Sequence, residues 1–156
     1  MSTVDPRTFR SVMGNFATGV TVITASGPAG PVGMTANAVA SLSLEPLLLL
    51  VAFDRTARTL AVIRDTERFG VNVLAAGQED LARLFASKAP EDAKFAGVPH
   101  ELRDGLPALD GALAWVGCRL EQLVPGGDHT IGIGAVESAD AREGRPLLWF
   151  RGSYRS

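Results

Sequence analysis

The chain has 156 residues, 46% of them hydrophobic and 21% charged, with a formal net charge of −2. That length suits a single domain, residues 1–156, burying roughly 70% of its unfolded surface. The near-neutral balance gives no global field toward nucleic acid or an anionic membrane, and no apolar run is long enough to span a bilayer. A lone cysteine, Cys118, excludes an internal disulfide and fits a reducing, cytoplasmic setting. The first residues show no basic region followed by an apolar stretch, so no secretory leader is expected.

Asp5-Pro6 reads as a helix start, with Asp as cap and Pro in the first turn, and Phe9, Val12, Met13 and Phe16 follow at helical spacing. Gly19 ends that segment before a strand over Val20–Ala25. The run 26–31 (SGPAGP) is a turn by composition. Val32–Ala40 reads as extended. The segment Met34–Pro46 is long and small-residued, with Thr35, Asn37, Ser41 and Ser43 on a low-bulk surface. It suits a neutral planar ligand lying against backbone; the plainer alternative is a half-buried strand whose hydroxyls satisfy themselves locally. Leu47–Phe53 is apolar throughout, which predicts a strand buried on both faces. Arg58–Asp65 reads as a short helix, Phe69–Leu74 as a strand, and Gln78–Ala86 as a helix with Leu81, Leu84 and Phe85 on one side.

Lys88–Gly111 carries prolines at 90, 99 and 107 and little periodicity, so it reads as a loop or lid. Strands are expected over Leu113–Val124, Thr130–Ala139 and Leu147–Arg151. Cys118 alternates onto an apolar face with Ala114, Val116 and Leu120, as a core residue rather than a nucleophile. Trp115 and Trp149 also read as core. Many strands, few helices and no regular strand–helix alternation argue for a mainly β domain with peripheral helices, against a doubly wound sheet.

The chemistry-bearing residues are sparse. Two histidines and one cysteine without ligand spacing exclude a structural zinc site, and no metal is expected. No nucleophile elbow or phosphate-binding P-loop is present, and the glycines at 27–33 lack the dinucleotide fingerprint. Gly126-Gly127-Asp128 makes a tight turn that places His129 at the mouth of a strand. Thr130, Gly132 and Gly134 then share one strand face, a flat track that a ring or another backbone can approach. His129 is either a ligand-binding or acid residue there, or a solvated hairpin histidine. Asp54-Arg55-Thr56-Ala57-Arg58-Thr59 offers hydroxyls, helix-start N–H groups and arginines, a plausible phosphate cradle to which Lys88 could add charge. The alternative is a solvated turn with two surface arginines.

Taken together, these pieces resemble the short-chain flavin reductases, the FMN-binding split-barrel components of two-component monooxygenases. The resemblance rests on Phe16–Thr24, Gly33–Ala38, Ser41–Pro46, Phe69–Leu74, Gly127–Thr130 and Leu148–Tyr154, in that order and spacing. It implies a Greek-key split β-barrel, homodimeric, with flavin sites near the subunit interface. Thr35, Ala36, Asn37 and Ala38, continued by Ser41 and Leu42, match the segment along the isoalloxazine ring. Asp54, Arg55, Ala57, Arg58 and Thr59 match the loop at the ribityl phosphate, and Phe85 and Lys88 flank the flavin tail. His129 matches the histidine associated with nicotinamide cofactor binding, and Phe150, Arg151, Gly152 and Tyr154 border that pocket. Ala38 stands where many relatives have Ser, and Glu45 where Asp is commoner before Pro46.

The activity so implied is reduction of FMN or FAD by hydride transfer from NADH or NADPH to flavin N5, supplying a flavin-dependent monooxygenase. The absence of an arginine run for a 2′-phosphate favours NADH. In this scheme the protein supplies alignment and electrostatics and the cofactors supply reactivity. His129 is expected to be a positioning residue first and a proton donor second. The alternative reading is a non-catalytic flavin carrier or storage protein, against which His129 and Phe150–Tyr154 speak. An oxidase of the pyridoxamine-phosphate type would need a more basic phosphate cluster than Arg55, Arg58 and Lys88.

Overall fold

The computed structural model describes residues 3–156. Helix α1 (Pro6–Met13) starts as its sequence dictates: the Asp5 carboxylate accepts from the N–H groups of Arg7 and Thr8 at 2.8 and 3.0 Å. Its apolar stripe nevertheless packs on nothing within the chain. Phe9, Val12, Met13 and Phe16 are 50–69% exposed.

Strand β1 (Thr18–Gly19) is short, and β2 (Thr21–Gly27) and β3 (Gly30–Ala36) form the hairpin promised by the proline–glycine turn. Strand β4 (Val39–Leu44) then pairs with β5 (Leu47–Asp54). Helix α2 (Arg58–Thr66), strand β6 (Arg68–Val73) and helix α3 (Glu79–Ala86) follow. The stretch 88–111 is neither a loop nor a lid: it folds into helix α4 (Glu91–Phe95) and the hairpin β7 (His100–Arg103) and β8 (Leu106–Leu109). All of β8 is buried, and the Pro107 carbonyl accepts the Thr24 hydroxyl at 2.6 Å while Asn72 Oδ1 accepts the Leu109 N–H at 2.8 Å. Short-range periodicity missed this segment because long-range bonds to β2 and β6 hold it. The long hairpin β9 (Ala114–Gly126) and β10 (His129–Ala141), then β11 (Leu148–Phe150) and β12 (Ser153–Arg155), complete the chain.

The main sheet has seven strands in the order β3-β2-β6-β9-β10-β5-β4. Its two edge strands, β3 and β4, are consecutive in sequence and joined through Asn37 and Ala38, so the sheet curls around one core. That core takes Ile23 and Ala25 from β2, Val51 and Phe53 from β5, Phe69 and Val71 from β6, and Cys118 from β9, with Leu60 and Ile63 of α2 capping it. The mainly β class with peripheral helices is as expected. A separate three-stranded sheet, β1-β11-β12, carries the end of the chain.

Two packing expectations need correction. Only one face of β5 is buried: Leu49, Val51 and Phe53 point inward, whereas Leu48, Leu50 and Ala52 are half-buried and Leu47 is 51% exposed. The glycine face of β10 is not open to a ligand. A Cβ at Gly132 would lie 2.8 Å from the Phe53 ring, and one at Gly134 would lie 2.7 Å from the Phe69 ring. Rings do approach there, but they belong to the core.

Candidate functional site

A cleft of about 250 Å³ opens where β3, the turn after β5, the start of α2 and the end of α3 converge. Its walls include Thr35, Asp54, Ala57, Arg58, Thr59, Phe85 and Lys88, so the fold brings together seven of the residues singled out from the sequence. Local chemistry explains the turn. Asp54 ends β5 and folds its carboxylate onto Thr56, accepting the Thr56 hydroxyl at 2.6 Å and N–H at 2.8 Å. These two bonds, hydroxyl first, hold the Asp54 carboxyl below its usual range, with smaller help from His129 and Lys88. The turn delivers Ala57 as the cap residue of α2. Alanine has no side-chain acceptor, so the first N–H groups of this nine-residue helix are uncapped at the cleft wall. Uncapped helix N–H groups beside a lysine are the donor set an oxyanion needs.

The cations are not equivalent. Arg58 is already engaged, donating to the Ala89 carbonyl at 2.6 Å and pairing with Glu91 at 2.9 Å. Glu91 also pairs with Lys94 at 3.2 Å and accepts the Gly33 N–H at 2.8 Å. Lys94, 4% exposed, further donates to the carbonyl of Gly33 at 3.2 Å. This buried network ties α4 to β3 beneath the cleft floor. Lys88 forms no ion pair among the described residues and is the mobile charge for a ligand. Glu91 and Lys94 were missed from sequence because they lie in the stretch read as a loop. The signal was there: Pro90 followed by Glu91 and Asp92 is a helix start.

Other expected residues lie outside the cleft walls. The Thr35 hydroxyl donates to the Ala82 carbonyl at 2.6 Å, which leaves its backbone rather than its side chain for a ligand. Ala36 is buried and its carbonyl accepts the Thr21 hydroxyl at 2.6 Å. Asn37, Ala38, Ser41 and Leu42 form an exposed strip running from β3 into the edge strand β4. Arg55 is exposed on the turn, and its N–H donates to the Asp128 carbonyl at 3.2 Å, tying the β5 turn to the β9–β10 turn.

His129 opens β10 directly across from Asp54 in the ladder, at the mouth of the strand as expected. Its Nδ1 lies 2.8 Å from Asp128 Oδ1, and this bond lowers the Asp128 pKa. An ionised carboxylate can only accept, so Nδ1 carries the proton and Nε2 is left to face outward. The side chain is 44% exposed. Phe150, Arg151, Gly152 and Tyr154 sit elsewhere, on the three-stranded sheet. Tyr154 packs on Trp149 and lies beneath the Arg83 guanidinium of α3, while Arg151 donates from Nε to Asn15 Oδ1 at 3.0 Å. No hydrogen bond, ion pair or ring contact joins this segment to His129 among the described residues.

A mainly β barrel-like sheet with an oxyanion cleft between β3 and α2, and a histidine at its rim, defines a nucleotide-cofactor-binding domain. Comparison with known proteins is specific. Residues 13–156 match the model of the flavin reductase like domain, and the chain belongs to that family. It is 45% identical over 157 aligned residues to the reductase subunit HsaB of a flavin-dependent monooxygenase from Mycobacterium tuberculosis, covering 97% of this chain and 82% of that protein. It is 38% identical to an NADH-dependent flavin reductase of a Rhodococcus species, covering 98% and 87%. The structure of the NADH:FAD oxidoreductase SgcE6 of Streptomyces globisporus C-1027, in complex with NAD and FAD fragments, superposes with a TM-score of 0.91 at 38% identity, covering 100% of this chain and 96% of that one.

Proposed function

We propose that this chain is an NAD(P)H-dependent flavin reductase that hands reduced flavin to a partner monooxygenase. The observation that carries the reading is the cleft between β3 and α2, an oxyanion site in a chain of the flavin reductase family. Its uncapped α2 N–H groups and Lys88 fit the phosphate of FMN or of the corresponding part of FAD. The exposed backbone of Asn37 and Ala38, continued by Ser41 and Leu42, is left for the isoalloxazine ring. Bound flavin supplies the hydride-accepting ring; everything else is positioning by the protein.

Each residue then has a physical task. Ala57, Arg58 and Thr59 present backbone donors to the phosphate, Lys88 neutralises it, and Asp54 shapes the turn through Thr56. Backbone donors near Asn37 and Ala38 favour negative charge on the reduced ring. Asp128 fixes the His129 tautomer, so Nε2 is free to orient the nicotinamide carboxamide. NADH is the favoured donor. The enzyme works as a homodimer, because α1 and the outer faces of β4 and β5 expose apolar side chains that a single chain does not cover.

Anaerobic stopped-flow tests the reading, mixing protein and FMN or FAD with NADH or NADPH and following loss of oxidised flavin absorbance. Saturable, protein-dependent bleaching, with His129→Ala raising the apparent KM for the nicotinamide about ten-fold, is the expected result. Flavin binding without bleaching would leave a carrier instead. An unchanged nicotinamide KM in His129→Ala would remove that residue from the site.

A further inference from the structure

No run of arginines is visible along the chain, yet the fold builds a cluster. A groove of about 670 Å³ lies between α1 and the β11–β12 turn, lined by Arg7, Arg10, Ser11, Gly14, Asn15 and Arg151, with Gly152 at its edge. Arg7 and Arg10 are one helical turn apart on the face of α1 opposite the Phe9, Val12 and Phe16 stripe. Arg155 approaches the same corner, its guanidinium 5.5 Å from the centre of the Phe150 ring, while Arg151 stacks on that ring at 5.0 Å. None of these four arginines has an ion-pair partner among the described residues. The nearest carboxylate in sequence, Asp5, is engaged by the Arg7 and Thr8 N–H groups and the Thr8 hydroxyl.

The groove is held in shape. Asn15 donates to the carbonyls of Ser11 and Val12 at the end of α1 and accepts from Arg151 Nε, which leaves both terminal nitrogens of Arg151 free to point outward. The Arg151 N–H donates to the Gly14 carbonyl at 2.9 Å. Arg151 and Gly152 form the two-residue loop of the β11–β12 hairpin with φ of 49° and 75°. Asn or Asp would adopt the first of those positions at lower cost, so an arginine is kept in a strained left-handed conformation at the one place that aims it at Arg7 and Arg10. A second copy of the chain is a poor occupant, since a symmetric contact here sets guanidinium against guanidinium.

We infer that this groove is a subsite for the phosphorylated adenylate end of a dinucleotide, the ADP portion shared by the nicotinamide cofactor and FAD. The volume suits half a dinucleotide, and forked, unpaired guanidiniums match a diphosphate. The inference rests on the reductase reading for its choice of ligand. Arg7 and Arg10 also lie outside residues 13–156, the part that matches the family model, so the subsite is partly built by a segment the family model does not contain.

ADP itself is the probe, since it carries the recognised groups and cannot be reduced. Titration calorimetry should show saturable ADP binding that inorganic pyrophosphate displaces. Arg7→Gln/Arg10→Gln should weaken it about ten-fold, and Arg7→Lys/Arg10→Lys should fall between, because lysine keeps charge but not the fork. Since α1 buries none of its residues, an unchanged melting temperature is expected for both variants. In turnover, a raised KM for NADH assigns the subsite to the nicotinamide cofactor, and a raised KM for FAD but not FMN assigns it to the flavin; either supports the inference. No ADP binding, ADP binding unchanged in the glutamine variant, or an equal rise in KM for FMN, which has no adenylate, overturns it. A chain that binds ADP here yet bleaches no flavin would refute the reductase reading and leave the subsite standing.

Discussion

Single side chains in this molecule show how burial decides chemistry. Cys118 is fully buried among Phe69, Val71 and the β10 glycine face, and burial pushes its thiol up to about 12, with Glu137 adding a smaller repulsion. It is therefore a core residue and not a nucleophile. The unfolded thiol titrates near 9. Folding favours the protonated form, so the contribution of Cys118 to stability is complete below about pH 9 and falls as the pH rises from there toward 12. Native protein at pH 8 should resist an aromatic disulfide reagent, and reaction should appear in step with denaturant unfolding. Rapid labelling of the folded protein would show that the core around Cys118 opens. The same neighbourhood explains why Gly134 has no side chain: Phe69 and Cys118 already occupy the space a Cβ would take.

At the scale of elements, α4 is the case where ionic and packing arguments meet. Glu91 is the shared partner of Arg58 and Lys94, and Lys94 is nearly inaccessible. Neutralising Glu91 leaves a buried ammonium without its counter-charge, a loss of about 3 kcal/mol by comparison with other broken buried pairs. Glu91→Gln should lower the denaturation midpoint accordingly, and Glu91→Gln/Lys94→Met should recover most of the loss by removing both charges. If the double variant is no better than the single one, the cost lies in the Gly33 hydrogen bond and not in the stranded lysine. The elements also show what a sequence discloses. Helices α1, α2 and α3 and every strand of the long hairpins were legible, because caps, turns and alternation are local signals. The seven cleft residues were legible through a resemblance plus plausible turn chemistry. Helix α4 and the β7–β8 hairpin were not, because Thr24 and Asn72 hold them from far away in sequence. The β10 glycine face was misread for a related reason: alternation tells which residues share a face, not whether Phe53 and Phe69 fill the space beside it.

The whole molecule carries an imbalance that a single chain does not resolve. The α1 stripe exposes Phe9 and Phe16 at 60% and 69%, and on the sheet edge Leu44 and Leu47 are 83% and 51% exposed. Both surfaces are apolar faces of regular elements, the pattern by which two copies bury a continuous interface. Leu47–Phe53 was read as buried on both faces, and a second copy over β4 and β5 would make that reading true of the assembly. Light scattering should give twice the chain mass of 16.4 kDa, and the melting temperature should rise with protein concentration, because dissociation accompanies unfolding. Leu44→Glu places a charge at the exposed edge of β4 without touching the core, so it should yield the monomer mass and a lower melting temperature that no longer depends on concentration. A wild-type chain that stays at 16.4 kDa across the same concentration range would mean that these surfaces serve another partner, and the flavin cleft would then have to work within one chain.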